Sequence, residues 1–492
     1  MERVLPPSRS LPLFGAAATR AVERRASAGL APHALMARAG LSVARLALAI
    51  APHARSVQVF AGPGNNGGDG FEAAIHLRAA GKEVSIVFVG DEAKLPADAR
   101  DAFDRVRAAG LNVVADSTGS TASDLVIDAL LGVGANRAPS PALAACIERI
   151  NASSCPVLAV DIPSGLDADT GRPLGDATVR ATHTISMLTL KPGLFTGHGR
   201  DHAGDIWFDA LGISPDEPAD AMLNGQALAE TRSRLHAQHK GSFGDVAVIG
   251  GAPSMSGAAL LAARAALAAG AGRVYASLLD DGAASLDAGR PELMFRRRWW
   301  QAADEVLAQA TVACGCGGGD AVRPVLPRVL SASGRLVLDA DALNAVAQDS
   351  ALQALLRSRA VRGRGTVITP HPLEAARLLG MPVAKVQQDR LHAARELAQR
   401  FGCVALLKGS GTVIAAPGQM PRINPTGNAS LATAGTGDVL AGLIGGLWAQ
   451  QESAAALDIA SAAAYRHGRA ADLHGAGPLL ANDLIEALRL AG

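Results

Sequence analysis

The sequence predicts two doubly wound α/β domains in tandem, and three observations carry that expectation. At 492 residues the chain exceeds what one hydrophobic core usually organises. In both halves, short apolar runs ending in Gly, Asp or Pro alternate with Ala-rich helical patterns, the rhythm of buried parallel strands joined by crossover helices. A polar, Pro-containing passage, SPDEPADAMLNGQ at 214–226, interrupts that rhythm, which then restarts. The expected division is a first domain over 1–215, a linker over 216–230 and a second domain over 231–492.

In the first half SVQVFAG, EVSIVFVG, LVIDALLG and VLAVDIPSG read as strands, with crossover helices expected over 73–80 and 143–150. In the second half GDVAVIGG, GRVYASLL, TVACGCGGG, RLVLDADALN, TVITPHP and VALLKGSG read the same way. The halves share a class of architecture but not their motifs.

Composition narrows the partners. Hydrophobic residues make up 49% and charged residues 18%, which suits a well-buried globular protein. A net charge of +1 gives no electrostatic ground for nucleic acid or an anionic membrane, and 3% aromatics leave little for base stacking. A small-molecule substrate is expected. Cys146, Cys155, Cys314, Cys316 and Cys403 lack the spacing of a zinc site or redox pair and read as thiols in a reducing compartment. The opening MERVLPPSRS has no continuous apolar stretch, and the apolar run 255–272 is interrupted by Arg264, so a cytoplasmic protein without a membrane span is expected. Ala- and Gly-rich surfaces are compatible with a homo-oligomer.

Chemistry concentrates first in AGPGNNGGDG, at 61–70, between a strand and a helix expected after Asp69. Its glycines would let the backbone turn sharply and approach a ligand, and the helix N-terminus would face a phosphate. The run has neither the P-loop ending nor the dinucleotide fingerprint spacing. A tight strand-to-helix turn would explain the glycines alone; Asn65, Asn66 and Asp69 are more than a turn needs. Asp128 ends the next strand ahead of Gly132, and Asp161 ends another, with Ser164 three residues on. Ligands of open α/β sheets sit at the carboxyl ends of strands, so these clusters should converge. Amide, carboxylate and hydroxyl oxygens suit a hard cation.

GPGNNGGDG, VIDALLGVG, VDIPSGLDADTG and TLKPG, with ALMARAG at 34–40, resemble the NAD(P)H-hydrate epimerase family, from about residue 34 to 211. The resemblance implies a Rossmann-like fold and potassium (K+) bound by Asn66, Asp128 and Ser164. It implies that Asn65, Asn66, Gly67, Gly68 and Asp69 hold the hydrated cofactor. Gly132, Val133, Gly134, Ala135, Asn136, Arg137, Ala138 and Asp161 would join them. Inverting one carbon of the hydrated ring needs a positioned acid or base. Asp161 is the leading candidate and Lys191 the second.

The second concentration is NASLATAGTGDVLAGLIGGL, at 428–447, where Gly435-Thr-Gly-Asp438 opens an apolar helix. Consecutive backbone N–H groups there would form an anion hole, and Asp438 could accept the proton of a hydroxyl attacking phosphorus. An Asp-capped helix would explain Asp438 but not the glycines and threonines around it. LLKGSGTVIA carries Lys408 at a strand end, TPHPLE places His371 at another, and Asp339, Asp341 and Asn344 follow a third.

Together with HKGSFGDVAVIGG, RPELM and DADALN, these motifs resemble the ribokinase-like superfamily and, within it, the NAD(P)H-hydrate dehydratases, from about residue 238 onward. By that resemblance Lys408, Gly409, Ser410, Gly411, Thr412 and Gly437 bind the AMP portion of the nucleotide. Ala258, Gly317, His371 and Asp438 contact the hydrated cofactor, with Asp438 the catalytic base. ADP is implied as phosphoryl donor, with magnesium (Mg2+). Phosphorylating the ring hydroxyl turns it into a good leaving group, so a kinase-like fold performs a net dehydration. The chain departs from the family pattern at Cys316 and Gly318 in Gly315-Cys-Gly-Gly-Gly319, at Ser430-Leu431, at Leu373 and at Ala434. A small-molecule kinase with a stable phosphorylated product, and a non-catalytic binding module in the first half, are the alternatives.

Overall fold

The computed structural model describes residues 1–115, 123–226, 234–283, 285–475 and 477–490. The chain divides into two compact units, Met1–Leu5 with Pro12–Ala221, and Pro6–Leu11 with Met222–Gly492. Residues 227–230 of the expected linker, and 231–233 after it, lie outside the described residues.

The first unit holds a sheet whose strands run, edge to edge, Glu2–Arg3, Asp205–Asp209, His183–Met187, Val157–Val160, Leu125–Ala129, Ser56–Ala61, Glu83–Phe88 and Asn112–Val114. All neighbours are parallel except Glu2–Arg3, an antiparallel edge. The expected strands are present; His183–Met187 and Asp205–Asp209 add to them. From Ser56–Ala61 the chain first builds outward to one edge, then returns to Leu125–Ala129 on the other side. That pair is the topological switch point, where loops at the strands' carboxyl ends splay apart and open a crevice.

Two expectations need correction here. The helix begins at Asn65, not after Asp69, and runs to Ala79. The glycines of the turn serve packing more than ligand approach. A Cβ at Gly62 would fall 1.8 Å from the Leu130 carbonyl oxygen, and one at Gly67 would fall 2.1 Å from that of Gly62. Gly68 backs onto Met36 and Gly70 onto Ala129. Phe71, Phe88 and Phe103 then cluster edge to face behind the helix, with ring centroids 5.2–5.7 Å apart.

In the second unit the parallel strands run Met294–Phe295, Arg273–Leu278, Asp245–Gly250, Thr311–Cys314, Arg335–Leu338, Thr366–Ile368 and Val404–Leu407. Val413–Ala415 and Arg422–Ile423 continue antiparallel. Met222 and Leu223, inside the passage expected as a connection, pair in parallel with Arg422 and Ile423. The switch point lies between Asp245–Gly250 and Thr311–Cys314. The helix Thr436–Gln450 is buried on nearly every side against Ser256–Ala268. Gly442 and Gly446 allow that approach, since a Cβ at Gly442 would meet the Ala262 carbonyl oxygen at 1.9 Å. No helix among the described residues is long and apolar enough to cross a membrane.

Candidate functional sites

In the first unit three strand-end loops converge on a cavity of about 980 Å³ at the switch point. Asn65, Asn66, Asp69, Asp161 and the whole run Gly132, Val133, Gly134, Ala135, Asn136, Arg137 and Ala138 line it. Gly67 and Gly68 do not. Helical spacing explains the division: Asn65, Asn66 and Asp69 share one face, whereas Gly67, Gly68 and Gly70 turn toward the body of the unit.

Asp128 and Ser164 lie behind the cavity wall. Asp128 is wholly buried and accepts from Ser164 Oγ at 2.6 Å, Ser164 N at 2.8 Å and Leu130 N at 3.2 Å. Burial raises its carboxyl to about 6, against the lowering effect of those bonds. The Leu131 N–H donates to Ser164 Oγ at 2.8 Å, tying the two loops together. Asn66 is buried with its Nδ2 lacking a hydrogen-bond partner, and its Oδ1 lies 3.0 Å from where a Gly132 Cβ would be. The three oxygens expected for potassium are thus buried at adjoining loop ends, a donor set of the right hardness for an alkali cation.

Asp161 sits at φ +69°, a left-handed backbone that non-glycine residues seldom adopt. Its Oδ2 accepts the Val133 N–H at 3.0 Å, and its Oδ1 accepts from Lys191 Nζ. Lys191 is completely buried and also donates to the Met187 carbonyl at 2.8 Å and Ser186 Oγ at 3.3 Å. Asp69, by contrast, carries a carboxyl raised well above the usual range, by burial first and then by Asp161 and Glu23. Arg20, Glu23, Met36 and Leu188 also line the cavity. Met36 comes from the ALMARAG stretch at 34–40; Arg20, Glu23 and Leu188 come from helices and loops with no motif, and sequence reasoning passed over them.

The second site gathers at the N-terminus of Thr436–Gln450. Lys408 Nζ donates to Asp339 Oδ1 at 2.7 Å, and Thr369 Oγ1 donates to the same oxygen at 2.8 Å. Gly437 faces this pair: a Cβ there would lie 3.3 Å from Lys408 Nζ and 3.9 Å from Asp339 Oδ2. Ligand atoms of Cys316, Asp339 and Asp438 come within 4.8 Å of one another. Burial, then Asp339, raises the Asp438 carboxyl to about 6, while the Cys316 thiol is pushed well up by burial and stays neutral. Ala258 touches the Gly317 turn, where a Cβ at φ +59° would meet Ala258 Cβ at 2.8 Å.

His371 has a structural role that the sequence did not signal. Its Nδ1 accepts the N–H groups of Leu373 at 3.1 Å and Glu374 at 3.3 Å, capping the helix Pro372–Leu379, while Glu374 returns a bond to the His371 N–H. Its Nε2 lies 3.4 Å from Glu374 Oε1, so the ring is held by the same glutamate on its other side. Gly409 takes φ +135° with the Arg390 guanidinium against it, and Arg390 donates to the carbonyls of Leu407 and Lys408 at 3.2 and 3.1 Å. His467, buried, meets the Thr436 carbonyl at 2.9 Å, and burial lowers its imidazole to about 4. Asp339 was visible in the sequence as a strand end. Nothing in the sequence marked Arg390 or His467, which act from helices remote along the chain.

Comparison with known proteins decides the family. Residues 246–489 match the family described as NAD(P)H-hydrate dehydratase, and residues 32–193 match the YjeF-related protein N-terminus. The bifunctional NAD(P)H-hydrate repair enzyme Nnr of Escherichia coli (strain K12) is 39% identical over 480 residues, covering 94% of this chain and 90% of that one. The chain belongs to the bifunctional NAD(P)H-hydrate repair enzymes. Their counterpart from Vibrio cholerae is 36% identical, covering 94% of both chains. A solved structure of an ADP/ATP-dependent NAD(P)H-hydrate dehydratase from Bacillus subtilis, co-crystallised with ATP/Mg2+, is 30% identical with TM-score 0.44, covering 54% of this chain and 94% of that one. As a member of this family the chain is a two-activity enzyme, an epimerase in the first unit and a dehydratase in the second.

Proposed function

We propose that the first unit's cavity binds the hydrated nicotinamide of NADH or NADPH hydrate and interconverts its R and S forms, while the second phosphorylates the S form with ADP and eliminates phosphate. The observation that supports the first assignment is the convergence of three strand-end loops on one cavity with an ion-paired carboxylate in its wall. Asn65, Asn66, Asp69 and the 132–138 loop hold the ligand; Gly67 and Gly68 shape the turn from behind. Asp161, the expected catalytic carboxylate, faces the ring as a fixed negative charge. Asn66, Asp128 and Ser164 would hold potassium, which would supply a fixed positive charge between the loop ends that carry these groups.

In the second unit Lys408 binds a phosphate of ADP, with Gly409, Ser410, Gly411, Thr412 and Gly437 around the AMP portion. The ring hydroxyl, placed by Ala258, Gly317 and His371, gives its proton to Asp438 as its oxygen bonds to the β-phosphorus. The bond to AMP breaks, and the electron pair leaves with AMP. The ring nitrogen lone pair then expels the new phosphate ester as phosphate, and loss of a ring proton regenerates the reduced nicotinamide. Helix N–H groups at Gly435 to Asp438 stabilise charge on the transferring group. The Cys316, Asp339 and Asp438 set does not fit a resident magnesium ion, because a neutral thiol fills one position and the Lys408 ammonium already occupies Asp339. Magnesium would be held by the phosphates of the nucleotide rather than by this set. Five cysteines without a disulfide support a cytoplasmic setting.

The test supplies each hydrate epimer separately with potassium, magnesium and ADP or ATP, and follows absorbance of the reduced nicotinamide. Full recovery from both epimers, with AMP appearing from ADP, is expected. Recovery from the S form alone would overturn the epimerase assignment. No recovery with either nucleotide would overturn the dehydratase assignment.

A further inference from the structure

We propose that Asp69 is the proton donor of the epimerisation, and that Asp161 with Lys191 forms a fixed ion pair that exchanges no proton with the ligand; the proposal rests on the epimerase reading of the first cavity. Three observations separate the roles. Lys191 is wholly buried and makes three donor contacts, to Asp161, Met187 and Ser186, which use the three N–H bonds of an ammonium. Both oxygens of Asp161 accept, one from Lys191 and one from the Val133 N–H, and donors on both oxygens hold the group in place as a carboxylate. Asp69 is a different kind of group. It lines the cavity on the ligand-facing side of the first helical turns, and no hydrogen bond to its carboxyl is present among the described residues.

The charges around Asp69 favour its protonated form. Burial acts first in that direction, then Asp161 from the strand-end loop and Glu23 from the helix Ala16–Ala28; Lys191 opposes them, and Asp98 from the helix Ala97–Ala108 adds least. Arg20 and Arg137 line the same cavity. A carboxyl that is neutral at working pH can protonate a leaving hydroxyl; a carboxylate locked to lysine can stabilise the positive charge that then develops.

The step balances without a further reagent. Asp69 gives its proton to the ring hydroxyl, the carbon–oxygen bond breaks with its electron pair on oxygen, and water departs. The ring nitrogen lone pair delocalises the resulting cation opposite the Asp161 carboxylate. Water then adds from the other face and releases its proton to solvent, and a proton from solvent restores the Asp69 acid.

The experiment uses the full chain without any nucleotide, so that dehydration is silent, and measures interconversion of purified R and S hydrates after subtracting the spontaneous rate. Asp69→Asn should lower kcat by about 10²–10⁴-fold with little change in KM, and Asp69→Glu should recover part of the loss. The wild-type rate should fall as pH rises through the Asp69 titration, because the acid form is required, and the residual rate of Asp69→Asn should lose that inflection. Oxygen from labelled water should enter the hydrate hydroxyl in step with inversion. An Asp69→Asn rate within about threefold of wild type, or inversion without label, overturns the proposal. No interconversion by the wild-type chain would overturn the epimerase reading itself, a separate and distinguishable failure.

Discussion

Lys408 Nζ and Asp339 Oδ1 stand 2.7 Å apart at the carboxyl end of the second sheet, the lysine 19% exposed and the aspartate 3%. Burial works against the ammonium, but Asp339 and then Glu374 outweigh it and hold Lys408 above its ordinary range. The pair therefore keeps a permanent cation beside Gly437, where a nucleotide phosphate is expected. Lys408→Met removes the cation and leaves Asp339 buried with Thr369 as its side-chain donor. Breaking a buried pair costs roughly 3–5 kcal/mol, and the partial exposure of Lys408 places this case at the low end. We expect a lower Tm together with a KM for ADP at least tenfold higher, read by calorimetry and by steady-state dehydration.

As the proposed base, Asp438 is expected to set the pH dependence of dehydration. Its carboxyl is raised from 3.8 to about 6 by burial and Asp339, and a general base acts only when ionised. kcat/KM for the S hydrate should therefore rise with pH through about 6 and level off above it. Asp438→Asn should lower the plateau by about 10²–10⁴-fold and remove the inflection. A variant retaining near-normal dehydration would rule out this role for Asp438.

Two glycines within two positions of Asn66 should respond very differently to the same substitution. A Cβ at Gly67 would lie 2.1 Å from the Gly62 carbonyl oxygen, so Gly67→Ala must displace the turn that seats Asn66 and Asp69. Gly64 has nothing within 4 Å of the added carbon and an extended backbone at φ −117°. We expect Gly64→Ala to change stability by less than about 0.5 kcal/mol. Gly67→Ala should cost several times more and depress epimerisation. Chemical denaturation and the nucleotide-free epimerisation assay measure both effects.

How the sequence encodes the two sites follows from the same residues. Strand-end polar groups at Asp128, Asp161 and Asp339 were legible because a buried parallel strand is a continuous apolar run, and the first polar residue after it must lie at the sheet's carboxyl edge. The helix start was placed too late because Asn65-Asn-Gly-Gly-Asp69 has a poor helical propensity; the packing of Gly67, Gly68 and Gly70 against Gly62, Met36 and Ala129 overrides it. The same packing reverses the reading of those glycines, from open ligand approach to close contact within the unit.

By itself, then, the sequence determined the two α/β halves, their strands and the motif residues, since hydrophobic period and turn chemistry are local properties of the chain. Tertiary structure alone decided which of those residues meet. It buried Lys191 against Asp161, left Asp69 facing the cavity, set Lys408 on Asp339 and brought Arg390 and His467 to the second site. Charge pairing, burial and the protonation states they impose depend on distances between segments far apart in sequence, and no local pattern records those distances.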